Sequence, residues 1–234
     1  MPLADPLRHA VDRVASAAVQ GGWRVARRFG KTKAGSPGAR RFGAFGDGSS
    51  LAFPPGEVIG PQAIRIGARC AIGAEVTLAA GFPDQVFPPV CDPVITLGDR
   101  VTIGRGGFVV GLASIHLEDD VTIAPNVYIT DHNHTYTDLW LPIGEQWPEQ
   151  ADVRIGAGSW LGTGVIVLPG AQIGRHVTVA GGAVVRGVVP DHCVVAGAPA
   201  RVVRRWTEAD GWVPPLAREV EVPPGWPVGV PPER

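Results

Sequence analysis

The sequence is poor in several things that would each have pointed to a function. Its three cysteines, Cys70, Cys91 and Cys193, are scattered, odd in number and without CxxC spacing. They read as reduced thiols rather than a disulfide framework. No run of 18 apolar residues exists, so no membrane-spanning helix is expected. The opening stretch, MPLADPLRHAVDRVASAAVQGGW, carries acidic residues and no compact apolar segment, unlike a secretory signal, and a cytoplasmic setting is expected. Neither a GxSxG elbow nor a Ser-His-Asp order is present, which argues against a nucleophilic serine. A formal net charge of -1 over 234 residues shows no chain-wide excess of either sign, and no nucleic-acid partner is expected.

What is abundant is glycine, 32 residues, and proline, 23, together nearly a quarter of the chain. Without a collagen period this leaves disorder or tightly turning β structure. The periodicity decides for the second. Every sixth residue from Ile155 is a branched aliphatic: Ile155, Leu161, Val167, Ile173, Val179, Val185. The same phase holds in Leu97, Ile103, Val109, in Leu117, Ile123, Ile129, and in Ile66, Ile72, Leu78. The residue after each is often small, and Ser159, Val165, Ala171, Val177 and Ala183 follow four residues on. A six-residue period fits neither a helix nor a plain strand. It predicts an all-β fold, a parallel β-helix in which three hexads make one triangular coil and stacking supplies core and hydrogen bonds. The aliphatic should point inward and the following small residue should let the chain turn. About five coils are counted, interrupted at 79–93 and again from Asp131 to Asp152, and loops expelled from a solenoid are where function concentrates.

The ends differ from this middle. Residues 1–45 hold nine Lys/Arg against Asp5 and Asp12, and Leu7, Val11, Val14, Ala15 and Ala18 recur at helical spacing, with Trp23 a further candidate for the stripe. An amphipathic helix is predicted over roughly 5–29. Its apolar stripe could pack on the main body, or its basic face could meet an anionic membrane surface or a polyanionic substrate. KTKAGSPGAR then reads as a flexible joint. Beyond Trp206, seven prolines in the last 22 residues suggest an extended tail, with Trp212 and Trp226 as its staples. The expected division is therefore a basic helical extension at 1–45, a hexapeptide-repeat domain at 46–205 and a Pro-rich tail at 206–234.

At the mouth of the second break stands APNVYITDHNHTYTD, with His132 and His134 side by side in sequence. Together with IGAGSWLGTGVIVLPGAQIGRHVTVAGGAVV and the ending Gly197-Ala198-Pro199-Ala200-Arg201-Val202-Val203-Arg204, it resembles the hexapeptide-repeat acyltransferases. Within them it is most similar to the galactoside and maltose O-acetyltransferase group and related polysaccharide O-acetyltransferases. The resemblance covers about residues 58–205. It implies a left-handed β-helix and a homotrimer with active sites between adjacent prisms. Acetyl-CoA is the implied co-substrate, a saccharide or glycan hydroxyl the acceptor, and no metal is expected. The position matching the family's loop histidine, after Pro125-Asn126-Val127, is His132. Asp131, Asn133 and His134 are implied substrate contacts, with His134 also a rival for the base. Trp160 matches an aromatic beside the CoA arm, and Thr163 a residue whose N–H faces the thioester carbonyl. Gly181 matches a small residue under the pantetheine, and Arg201 and Arg204 match cations near the phosphates. Arg186 stands one position before the place where several relatives carry a lysine.

These residue types suit acyl transfer. Imidazole, with an unperturbed pKa of about 6.5, can take a hydroxyl proton near neutral pH, and a placed base contributes about 10²–10⁴ in rate. Backbone N–H groups stabilise an oxyanion, and guanidinium groups suit phosphates. Other readings stand beside this one. The same base serves N-acylation of an amino sugar. A γ-type carbonic anhydrase shares the fold and would need zinc held by histidines such as His132, His134 and His116. A non-catalytic scaffold would use none of them. His116, His176 and His192 fall in repeat or turn positions and are expected to be structural. Tyr136, Trp140 and Trp147 could wall an acceptor pocket or form a trimer contact.

Overall fold

The computed structural model describes residues 5–83 and 92–215, with side chains from His9 onward. Cys91, the middle of the first loop, Trp226 and the last part of the Pro-rich tail lie outside them. The hexad phase becomes three stacks of short parallel strands wound as a triangular prism. One face stacks seven rungs, from Ala44–Phe45 through Ile95–Leu97, Ile115–Leu117 and Val153–Ile155 to Val188–Val189. The second carries Ser50–Leu51, Thr102–Ile103, Thr122–Ile123, Trp160–Leu161, Thr178–Val179 and Cys193–Ala196 among its rungs. The third has six, including Phe108–Gly111, Tyr128–Thr130, Ile166–Val167 and Val184–Val185. Register is strict: Leu97, Leu117 and Ile155 align across rungs, as do Ile103, Ile123 and Leu161. All of these, with Ile129, Val167 and Val185, are buried in one continuous core.

The prism has more than the expected five coils, because it begins before the recognisable hexads. Ala44–Phe45 pairs with Arg65–Ile66, and Ser50–Leu51 pairs with Ala71–Ile72, so residues 44–51 already form coil structure. The stretch expected to be a flexible joint is ordered too, since Thr32–Lys33 pairs antiparallel with Ser50–Leu51 and closes that end. At the other end the chain beyond Trp206 is not simply extended. Arg201–Thr207 pairs antiparallel with Cys193–Ala196, and Gly211–Val213 folds back on it with Trp212 opposite Trp206. Both additions cover rung edges that would otherwise expose unpaired backbone.

The glycine after each inward aliphatic does not make the turn by left-handed geometry. A Cβ on Gly67 would lie 2.4 Å from the Gly98 carbonyl oxygen, and one on Gly156 would lie 2.5 Å from the Gly174 carbonyl carbon. Its role is close approach between successive corners. The positive φ falls two residues later, as at Arg100 (59°), Asp120 (61°), Gly158 (69°) and His176 (52°). His176 and His192 occupy such turns on one corner, their rings stacked 5.6 Å apart, with Trp206 edge-on to His192.

The N-terminal helix, Asp5–Phe29, forms where its periodicity predicts. It does not pack its apolar stripe on the prism. Val14 and Phe29 are 71% and 75% exposed, and contact with the body is made by Trp23, whose ring centre lies 5.8 Å from that of Phe53. The expected packing fails because Trp23 projects from a different side of the helix than the valines.

Candidate active site

The second break is a hairpin with a closed neck. Thr130 ends a third-face strand, and the chain leaves the coil at Asp131 and returns at Ala151, whose N–H donates to the Asp131 carbonyl at 2.8 Å. His132 and Asn133 pair antiparallel with Gln150 and Glu149. The hairpin stands at the corner between the third and first faces.

Asp131 is fully buried at this neck. Its carboxylate accepts the Leu112 N–H at 2.9 and 3.1 Å and the Ala113 N–H at 2.8 Å, both from the same corner one coil earlier. A Cβ at Gly111 would come within 3.2 Å of Asp131 Oδ2, so the absence of a side chain there makes room for the carboxylate. The remaining partner is His132, whose Nδ1 lies 3.0 Å from Asp131 Oδ1 and 3.2 Å from Thr130 Oγ1. The Thr130 hydroxyl donates to the His132 carbonyl at 3.1 Å, which leaves it an acceptor toward the ring. Nδ1 is therefore the N–H donor to the carboxylate, and the lone pair of a neutral ring falls on Nε2. The His132 side chain is 16% exposed. A held, mostly buried imidazole presenting one basic nitrogen at a rim can remove a proton from a bound hydroxyl.

Sequence reasoning missed the parts that hold this ring. Thr130 and the Leu112 and Ala113 amides have no motif of their own. The available signal was the break in hexad phase at Gly111, where a small residue ends a strand. His134 lies beyond the neck and is exposed. The aromatics of the hairpin face outward: Trp140 is 94% exposed, and Tyr136 and Trp147 are also exposed. Gln146 shapes the tip from inside, donating to the Asp138 and Leu141 carbonyls at 2.8 and 3.0 Å. Trp147 meets Phe82 edge-on among the rings described.

The residues expected at the coenzyme divide between two corners. Thr163 and Gly181 lie one above the other at the corner between the second and third faces, where Gly182 N–H donates to the Thr163 carbonyl at 2.9 Å. A Cβ on Gly181 would approach that carbonyl to 3.1 Å, so glycine leaves room over the Thr163 carbonyl there. Thr163 is exposed, and its own N–H meets no acceptor among the described residues. Trp160 stands nearby on the second face, aligned between Thr122 and Thr178. The terminal motif continues the same corner: Val184 N–H donates to Gly197 and Ala200 N–H donates back to Val184. Arg201 and Arg204 follow on the covering strand. Arg186 departs from this set. It follows Val184–Val185 at the other corner and shares an open recess of about 480 Å³ with Asn133, Glu149, Gln150 and Pro169. Two coils therefore separate it from His132 along one edge, and a face separates it from Thr163.

Among the described residues no three His, Cys, Asp or Glu side chains converge as a metal site. His116 lies on the first face, aligned between Thr96 and Arg154. Cys70 and Cys193 are buried away from the hairpin, and burial pushes both thiols up from their ordinary value.

Two family models match within the prism, the bacterial transferase hexapeptide at residues 152–187 and the hexapeptide repeat of succinyl-transferase at 94–131. The galactoside O-acetyltransferase of Escherichia coli is 30% identical over 142 residues, 58% of this chain and 68% of that protein. The chain belongs to the hexapeptide-repeat acetyltransferases. A Mycobacterium tuberculosis protein named as an acetyltransferase is 40% identical over 110 residues, 47% of this chain and 37% of its own length. The first three curated relatives are spanned over only 37–61% of their lengths. An N-acyltransferase from Bacillus cereus, solved with dTDP-4-amino-4,6-dideoxyglucose and coenzyme A, superposes with a TM-score of 0.59 at 16% identity, over 72% of this chain and 87% of that one. That likeness carries the fold, the left-handed parallel β-helix of these acetyltransferases.

Proposed function

We propose that this hexapeptide-repeat acetyltransferase moves the acetyl group of acetyl-CoA to a hydroxyl of a saccharide or glycan, with His132 as general base. The observation that carries this reading is the buried Asp131 clamping His132 Nδ1 and leaving Nε2 at the rim. The galactoside acetyltransferase relative supports a sugar acceptor.

Nε2 takes the hydroxyl proton as the oxygen attacks the thioester carbonyl carbon. The tetrahedral oxyanion needs a donor, and the Thr163 N–H meets no acceptor among the described residues. Collapse breaks the C–S bond, and Nε2–H returns the proton to the departing sulfur. No covalent enzyme intermediate is required. Trp160 and the side-chain-free Gly181 suit the thioester arm, and Arg201 and Arg204 suit the phosphates. Because His132 and Thr163 stand on different corners of one prism, a complete site needs a second copy to bring its Thr163 corner to the hairpin of the first. A closed ring of three such contacts satisfies every corner. Asp131 acts here as a positioning residue, and Asn133 and His134 as acceptor contacts on the hairpin. Arg186, beside Asn133, faces the acceptor side rather than the coenzyme.

The test is release of free thiol from acetyl-CoA across a panel of sugars, glycans and amino sugars, with the molar mass of the protein measured in parallel. His132→Ala should abolish turnover and leave the mass of a trimer unchanged. Loss of activity in His134→Ala with His132→Ala active would move the base by two residues. Turnover confined to amino sugars would make the enzyme an N-acetyltransferase, and stoichiometric zinc without thiol release would point to carbonic-anhydrase chemistry.

A further inference from the structure

The helix Asp5–Phe29 carries an apolar face that none of the described residues covers. Val11, Val14, Val25 and Phe29 recur along one side and are each more than half exposed. The helix is held from another side. Trp23, nine residues from Val14 or about two and a half turns, rests on Phe53, and Gly30 packs beneath the same ring. Attachment to the prism thus turns the valines away from it. Arg13, Arg24 and Arg27 share the side opposite the valines, and the Arg28 guanidinium lies over the Phe29 ring at the border, 5.9 Å from its centre.

Charge separates along the chain in the same place. Nine Lys/Arg and two Asp give residues 1–45 a net +7, so the other 12 Lys/Arg and 20 Asp/Glu give the remainder -8. A second copy of the helix laid on the valines would set its own net +3, five arginines against Asp5 and Asp12, against another +3. A soluble polyanion would meet the arginines and leave the valines and Phe29 in water. An anionic bilayer uses both faces, with lipid phosphates for the arginines and the headgroup–acyl boundary for the apolar stripe. No described helix is long and apolar enough to cross a membrane, so the geometry is one of lying in the surface.

We propose that the helix docks the protein on an anionic phospholipid bilayer, with Val11, Val14, Ala18, Val25 and Phe29 turned into the lipid and Arg13, Arg24, Arg27 and Arg28 at the phosphates. This rests on none of the catalytic assignments. The test is co-sedimentation of the full chain with vesicles of phosphatidylcholine alone and of phosphatidylcholine with phosphatidylglycerol, at low and high salt. Mass is read by light scattering, and helix content by circular dichroism. Wild type should sediment with the anionic vesicles only and be released by salt. Val14→Asp with Val25→Asp, and separately Arg24→Glu with Arg27→Glu, should each cut the partition constant by roughly tenfold or more. Thiol release in solution should not change. The proposal is overturned if neither vesicle binds or if the valine variant binds like wild type, which would mean adsorption by charge alone. It is also overturned if that variant changes the molar mass, which would mean that copies of the chain cover the stripe.

Discussion

Replacing Asp131 by Asn changes one atom's chemistry at a site with no solvent to compensate. The carboxylate is 0% exposed and serves three N–H groups, those of Leu112, Ala113 and the His132 ring. An asparagine has one acceptor oxygen and one NH₂ for the same positions. If the NH₂ faced Leu112 and Ala113, two buried donors would be orphaned at about 1–3 kcal/mol each. The oxygen therefore keeps the amides and the NH₂ faces Nδ1. Nδ1 must then become an acceptor, which moves the ring proton to Nε2 and removes the lone pair that would take the hydroxyl proton. The expected loss is the whole contribution of a placed base, about 10²–10⁴ in kcat. Loss of charge-assisted bonds should lower stability by only about 1–3 kcal/mol. Thiol release measured against acceptor concentration separates kcat from KM, and thermal unfolding reports the fold. A variant that folds and turns over like wild type, beside an inactive His132→Ala, would refute the claim that Asp131 sets the tautomer.

The remaining predictions concern the prism. Leu117→Ala or Ile129→Ala removes a fully buried rung residue and should cost about 2–5 kcal/mol, read as a lower urea midpoint at unchanged slope. Gly156→Ala drives a methyl against the next corner at 2.5 Å and should destabilise by about 1–3 kcal/mol; full stability would show that the corners can part without penalty. The Asp120 carboxyl is held below its ordinary value of 3.8, first by its hydrogen bond from Arg100 and then, against the opposing effect of burial, by the Arg100 charge. Its folded pKa is the lower one, so its stabilisation is whole above that range and fades as pH falls through the folded value. Arg100→Gln should accordingly unfold more easily than wild type at neutral pH and alike in strong acid, a small difference because both side chains are partly solvated. In a Cys91→Ser background the buried Cys70 and Cys193 should react with a thiol reagent only after unfolding.

Much of this architecture is legible in the sequence because the repeat is redundant. Each inward aliphatic from Ile66 to Val185 is supported by the same residue type one coil above or below, so the phase survives two interruptions. Boundaries were less legible. Residues 44–51 carry only a single hexad step, Phe45 to Leu51, with Leu51 in the core, and 207–213 fold back on the covering strand with no hexad at all. The corner glycines illustrate a subtler miss. A small residue in a turn suggests left-handed backbone, whereas here it serves the close approach of successive coils, where a Cβ would lie 2.4–2.5 Å from the next backbone, and side-chained residues such as Asp120 take the positive φ. At the site, His132 and Asp131 stand adjacent in the chain and were found together. The Leu112 and Ala113 amides, about 20 residues away, come under the carboxylate only through coil stacking. Arg186 shows the same limit: a motif gives distance along the chain, and the winding sets it on the hairpin's corner, away from Thr163 of the same chain.

The closed neck of the hairpin carries an evolutionary meaning. Asp131 and Ala151 leave and re-enter the prism hydrogen-bonded to each other, so nothing between Asn133 and Glu149 is needed to continue the coil. The tip behaves as a cassette on a fixed mount. Its aromatics, held from within by Gln146 and presented to solvent, can be exchanged, lengthened or shortened while the mount keeps the Asp131–His132 pair in register. Such a chain can rewrite about 15 residues of surface at the tip while the Asp131–His132 pair is inherited with the solenoid.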